Sequence, residues 1–323
     1  MTHHYLTSTD ATQQLHYIVW QPADAAPRGV LQLVHGMEEY IDRYDILARL
    51  LVARGWAVIG HDHLGHGLSG RQVSEGPRGL DTLNLRGHFS DRNDAADVVI
   101  ADIHLIREEA LRRWPRVPHF AMGHSMGSFF LRRYLALHPD VLDGAIICGT
   151  GWYNTLLAGS ALAVTSLVGR LRGWRHKSTF VKTLTSPHAL AFRSEGSGAW
   201  LSRDPENVRR FHDDPLCGFG FTCGAYRAMY HNLLRVARGD GYDRLRVNAD
   251  FRGFPLLIVS GADDSVGGTK AVHRVAAQYR ALGFPDVTEH IVPHDRHEVI
   301  LEPDGPAVRA FIADWLDARV ASH

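Results

Sequence analysis

Apolar positions along this chain alternate between two patterns. Compact apolar runs are followed by longer stretches with helix-like spacing, the rhythm of a parallel sheet whose crossovers are helices. Residues 15–20 (LHYIVW), 30–34 (VLQLV), 56–60 (WAVIG), 118–122 (PHFAM), 144–148 (GAIIC), 255–259 (PLLIV) and 287–292 (VTEHIV) read as strands. Helices are expected over 44–53, where Gly55 stops the chain, and over 91–113, with Ser90 as N-cap and Pro115 just beyond. Further helices are expected over 128–137, 269–282 and 306–320. Residues 152–240 break the rhythm, with helix-like pieces and no convincing strand. The expectation is an α/β fold: a mostly parallel central sheet with helices on both faces, its core formed by 1–151 and 241–323 and interrupted by a helical cap at 152–240.

A chain of 323 residues is long enough for a large core, and 45% hydrophobic with 22% charged residues is an ordinary globular balance. The formal net charge is zero, so no global field draws the molecule to nucleic acid. Three cysteines, Cys148, Cys217 and Cys223, are too few for a disulfide framework, and Met1–Thr7 lacks a basic stretch followed by an apolar one. Both features point to a cytoplasmic compartment. Cys148 reads as core, and Arg132-Arg133 as a solvated helix face.

Chemistry enters at Gly123-His124-Ser125-Met126-Gly127, which lies between an expected strand and an expected helix. That context suits a nucleophile elbow, where a tight turn lifts Ser125 above the sheet and the helix start offers free N–H groups to a developing anion. An activated serine needs a histidine base and an acid that orients it, following in the order serine, acid, histidine. The strand at 255–259 runs into Asp263-Asp264, and the strand at 287–292 runs into His294 and His297. His290 lies inside its strand, and His297 sits deepest in the loop, which makes His297 the expected base. The residues themselves leave Asp263 and Asp264 open. Oxyanion donors are expected at the backbone N–H groups of Met126, after the serine, and Met37, after His35-Gly36 at a strand end.

Four stretches together resemble the α/β-hydrolase superfamily, and within it the monoglyceride lipase and lysophospholipase group. They are His35-Gly36 with Glu39 and Arg43-Tyr44; Asp62-His63-Leu64-Gly65-His66-Gly67-Leu68-Ser69; the Ser125 pentapeptide; and Gly261-Ala262-Asp263-Asp264-Ser265-Val266-Gly267 with Arg296-His297-Glu298. The resemblance spans nearly the whole chain. It implies that the acid is Asp264 and the base His297, and that the substrate is a monoacylglycerol or lysophospholipid-like ester cleaved through an acyl-enzyme. No cofactor is implied. Ser265 departs from the family pattern, where proline is common. A general carboxylesterase, thioesterase or peptidase of the same fold, or a non-catalytic ligand-binding protein, are the competing readings.

Two further signals concern ligands. His61-Asp62-His63 with His66 fits no standard zinc spacing, so no metal is expected. In the cap, the uncharged run around Trp152, Leu156 and Leu157 is expected to hold the acyl chain. Directly after it come Arg170, Arg172, Trp174, Arg175 and Lys177, a pattern suited to peripheral contact with an anionic membrane surface.

Overall fold

The computed structural model describes residues 1–69, 71–72, 86–185, 187–247 and 253–320. Among these residues, nine strands form one sheet: β1 (Thr2–Thr7), β2 (Gln13–Trp20), β3 (Val30–Val34), β4 (Ala57–His61), β5 (Arg71–Gln72), β6 (His119–His124), β7 (Gly144–Cys148), β8 (Pro255–Gly261) and β9 (Asp286–Val292). Their spatial order is β1-β2-β4-β3-β6-β7-β8-β9, with β5 beside β2. From β4 to β9 every pairing is parallel, while β1, β2 and β5 join antiparallel.

The apolar runs are continuous because both sheet faces are covered. Along the central strands, Ala121, Ala145, Ile147, Leu256 and Ile258 pack to one side, against α2 (Ala95–Arg113), α3 (Met126–Leu137) and α9 (Gly268–Ala281). Their neighbours Phe120, Met122, Ile146, Cys148, Leu257 and Val259 pack to the other, against α1 (Asp45–Ala53) and α10 (Gly305–Val320). The other α-helices among the described residues are α4 (Thr155–Arg172), α5 (Thr179–Thr185), α6 (Pro205–Asp213), α7 (Cys223–Arg238) and α8 (Tyr242–Val247), all between β7 and β8. Asn154 caps α4 by accepting the Leu157 N–H at 2.8 Å, Asp204 caps α6 at Glu206, and Thr222 caps α7 at Ala225.

Three local expectations are corrected. β1 was not anticipated, because an edge strand that is largely exposed needs no apolar run. The first described residue of α2 is Ala95, not Asp91: Ser90 Oγ accepts the Arg92 N–H at 3.2 Å, which closes a turn before the helix. Arg132 and Arg133 are buried, because α3 lies between the sheet and the helices α7 and α8. Arg132 donates to the Gly151 carbonyl and to Gln278, and Arg133 donates to the Asp240 carbonyl.

The parallel strands end on a common side. The carboxyl ends of β3, β6, β8 and β9 therefore gather the loops that follow them, the usual location of ligand sites in such sheets.

Candidate active site

Ser125 sits between β6 and α3 with φ 53° and ψ −121°, a backbone conformation L-residues rarely adopt. Its cost, roughly 1–3 kcal/mol, is borne by the packing around it. A Cβ on Gly127 would run into the Val34 and His35 carbonyl oxygens, so the turn fits under β3 only as glycine.

Ser125 Oγ lies 2.8 Å from His297 Nε2. On the other side of the ring, Nδ1 is 3.0 and 3.1 Å from the two carboxylate oxygens of Asp264. Asp264 also accepts the Val266 N–H at 2.8 Å and the Ser260 hydroxyl at 3.2 Å. Burial alone would raise the Asp264 carboxyl, but the facing His297 and the Val266 N–H outweigh it and hold it below the usual carboxylate range. The neighbouring Asp263 is exposed. His294 is exposed in the loop, and His290 stacks on Phe311 with ring centroids 3.8 Å apart. The structure thus brings together Ser125, Asp264 and His297 and leaves the other candidates outside.

Ser125 and His297 stand at the wall of a cavity of about 260 Å³, with Asp264 buried behind the histidine. Met37 and Met126 line it beside Ser125, with Phe129, Tyr153 and Leu233 among the apolar contributors. Trp152, Leu156 and Leu157 do not line it, which corrects the expected acyl site. Trp152 lines a separate hollow of about 10 Å³, and Leu156 is 80% exposed. The fully buried positions of α4 are the small residues Ala158, Thr165 and Gly169, flanked by the partly buried Leu162 and Val168, while Leu156, Leu157, Leu167 and Leu171 are exposed. Trp174 is turned inward, its ring over Gly169.

Behind the serine lies a buried network whose role the sequence did not reveal, although its members carry the family resemblance. Glu39 Oε1 accepts from the Gly36 N–H at 2.6 Å, the Tyr44 hydroxyl at 2.8 Å and His124 Nδ1 at 3.2 Å, while Oε2 accepts from Arg43 at 2.9 Å. Arg43 also forks onto Glu298 at 2.6 and 2.9 Å, and Glu298 accepts Asn207 from α6 at 2.7 Å. His124 Nε2 lies 3.1 Å from the His297 carbonyl. A carboxylate and a carbonyl both accept, so His124 donates from both nitrogens and is an imidazolium. Its burial works against that charge, but the Glu39 carboxylate outweighs burial and raises the His124 pKa above the usual histidine value. Trp200 stacks obliquely on His297, with centroids 5.1 Å apart.

The histidines near β4 form a different kind of cluster. His35 Nε2 accepts the His63 N–H at 2.9 Å, and His66 Nε2 accepts the Glu38 N–H at 3.3 Å, so both rings are neutral acceptors there. Burial lowers His35, His61 and His63 well below the ordinary histidine pKa, and lowers His66 to about 4. Among the described residues, no group of three His, Cys, Asp or Glu side chains is arranged to hold a metal ion.

An elbow serine, a histidine within hydrogen-bond reach and a buried acid behind it, at the carboxyl ends of a mostly parallel sheet, define a serine hydrolase of the α/β-hydrolase fold. Comparison with known proteins agrees. Residues 25–304 match the family described as serine aminopeptidase, S33, and the chain belongs to that family. It is 27% identical to a monoacylglycerol lipase of Mycolicibacterium smegmatis, over 93% of this chain and 91% of that one. It is 29% identical to a monoglyceride lipase of Rattus norvegicus, over 98% and 91%. A carboxyl esterase from Bacillus coagulans, solved with glycerol, superposes with a TM-score of 0.83 over 99% of this chain and 98% of that one, at 22% identity.

The histidine clusters predict how stability responds to pH. Depressed groups contribute stability that is present above their unfolded pKa, near 6.5, and lost as pH falls toward their folded values. With a folded pKa of about 4, His66 alone costs on the order of 3 kcal/mol of stability by pH 4. His124 is raised, so its contribution is full below 6.5 and fades only as pH climbs through its folded value. Urea denaturation should therefore show stability falling steadily from pH 6.5 to 4.5. A flat profile over that range would contradict the neutral-cluster assignment.

Proposed function

We propose that this enzyme hydrolyses monoacylglycerols through a Ser125–His297–Asp264 triad. The reading is carried by one observation: Ser125 Oγ is 2.8 Å from His297 Nε2 at the wall of a partly apolar cavity of about 260 Å³. His297 takes the Ser125 proton as Oγ attacks the ester carbonyl, and Asp264 holds the ring in the tautomer that accepts at Nε2. The tetrahedral oxyanion is met by the Met37 and Met126 N–H groups, the second at the first residue of α3, where the helix leaves its amides free. Collapse expels the glycerol alkoxide, which takes the proton from His297. Water, deprotonated by the same ring, then releases the fatty acid and restores Ser125. The names of the relatives support an ester of glycerol, and no step calls on a cofactor. The segment 152–240 acts as the cap that covers the acyl chain.

No helix among the described residues is long and apolar enough to cross a membrane. Contact with a lipid surface is proposed instead through the outer face of the cap. There Leu156, Leu167 and Leu171 of α4 and Phe180 of α5 are exposed, alongside Arg170 and Arg172. Arg175 and Lys177 are engaged within the protein, with Asp91 and with the Phe219 carbonyl, so they belong less to this surface than their sequence position suggests.

Ser125→Ala should lower kcat on a medium-chain monoacylglycerol by about 10⁴- to 10⁶-fold with the fold intact by circular dichroism. Asp264→Asn should cost up to about 10⁴-fold and Asp263→Asn only a few-fold, because an amide at 264 favours the wrong His297 tautomer. Near-native turnover in Ser125→Ala would remove the mechanism, and faster cleavage of an aminoacyl anilide than of any ester would reassign the substrate. For the membrane contact, co-sedimentation with anionic vesicles should fall several-fold in a Leu156→Ser, Leu171→Ser double variant. Unchanged sedimentation would exclude this face.

A further inference from the structure

We propose that Glu38 selects the alcohol half of the substrate, its carboxylate accepting hydrogen bonds from the hydroxyls of a neutral polyol. This rests on the monoacylglycerol reading and adds the residue that distinguishes a glycerol ester from a simple alkyl ester of the same acid. Five non-glycine residues among those described have left-handed φ, and two of them, Ser125 and Glu38, line the cavity. Glu38 has φ 58° and follows Met37 in the loop after β3. Its backbone is held from both sides: the N–H donates to His66 Nε2 at 3.3 Å, and the carbonyl accepts the Gly218 N–H at 3.0 Å. Glycine would fit this conformation with less strain. A glutamate stands there at a backbone cost, and such cost gathers at functional sites.

The side chain is placed to act. Glu38 is 6% exposed and contributes to the wall shared by Ser125, Met37 and His297. Its Oε1 is buried without a hydrogen-bond donor among the described residues, an unfavourable state for a carboxylate oxygen. Its Oε2 lies 3.9 Å from Lys182 Nζ on α5. The missing partner is therefore a donor. The Lys182 ammonium offsets the charge locally, which favours a neutral hydroxyl donor over a cation, while the carboxylate repels an anionic headgroup. Vicinal hydroxyls of glycerol supply two donors to a group that accepts several.

The test uses the full chain with three laurate esters: 1-lauroylglycerol, methyl laurate and lauroylcholine. The readout is the ratio of kcat/KM for the glycerol ester to that for the methyl ester. Glu38→Gly should lower this ratio about 10- to 100-fold, the size of a lost charge-assisted hydrogen bond, and Glu38→Gln should fall between it and the native protein. Because glycine relieves the left-handed φ, Glu38→Gly should melt at or above the native temperature, which separates lost recognition from lost folding. A ratio in Glu38→Gly within two-fold of native overturns the proposal. So does a selective loss on lauroylcholine, which would make Glu38 a cation site. A native enzyme that cleaves methyl laurate as well as lauroylglycerol overturns polyol selection while leaving ester hydrolysis standing. Failure to cleave any of the three esters overturns both.

Discussion

The buried carboxylate of Glu39 ties the site together. It accepts from the Gly36 amide of the loop after β3, from Tyr44, from His124 at the end of β6 and from Arg43, which in turn clasps Glu298 beside His297. Three loops from three strands are thereby referred to one charged group. Breaking a buried ion network by removing one member leaves its partners charged and unpaired, which typically costs about 3–5 kcal/mol. The network is thus more exacting in its geometry than the hydrophobic contacts around it. It also explains why His124, which touches no reacting atom, carries two donor hydrogen bonds: one to Glu39 and one to the His297 carbonyl.

Strain and support are matched in this arrangement. Ser125 and Glu38 both occupy left-handed backbone. Each is held by its neighbours. Gly127 is pressed against β3 beneath the serine, and His66 and Gly218 hold the backbone of Glu38. The segment between β7 and β8 reaches the same centre, through Asn207 on Glu298, the Leu201 carbonyl on the Glu298 amide and Trp200 against His297.

Much of this was legible in the chain because β strands buried on both faces leave unbroken apolar runs. VLQLV and GAIIC mark β3 and β7 at their bounds, the one polar residue in either run being Gln32, which is buried and donates to the Ile103 carbonyl. The elbow was legible for the same reason: a pentapeptide with two glycines lies between such a run and an amphipathic segment. Asp264 and Asp263 were not separable from composition or spacing, because adjacent residues diverge in space and only the fold shows which is buried. The cavity wall was the least legible part. A long apolar stretch such as 155–172 suggests a binding face, yet packing turned Ala158, Thr165 and Gly169 inward and Leu156, Leu157, Leu167 and Leu171 out. Glu38 gave no signal at all, because a single glutamate in a loop is unremarkable until its φ is known.

The central claim is that these loops hold Ser125 as an activated nucleophile, and covalent labelling reads that state directly. Incubation of the native protein with a fluorophosphonate, followed by intact mass and a peptide map, should show one adduct per chain, on Ser125, formed in step with loss of ester hydrolysis. An adduct on another residue, or hydrolysis that persists with Ser125 fully labelled, would contradict the account.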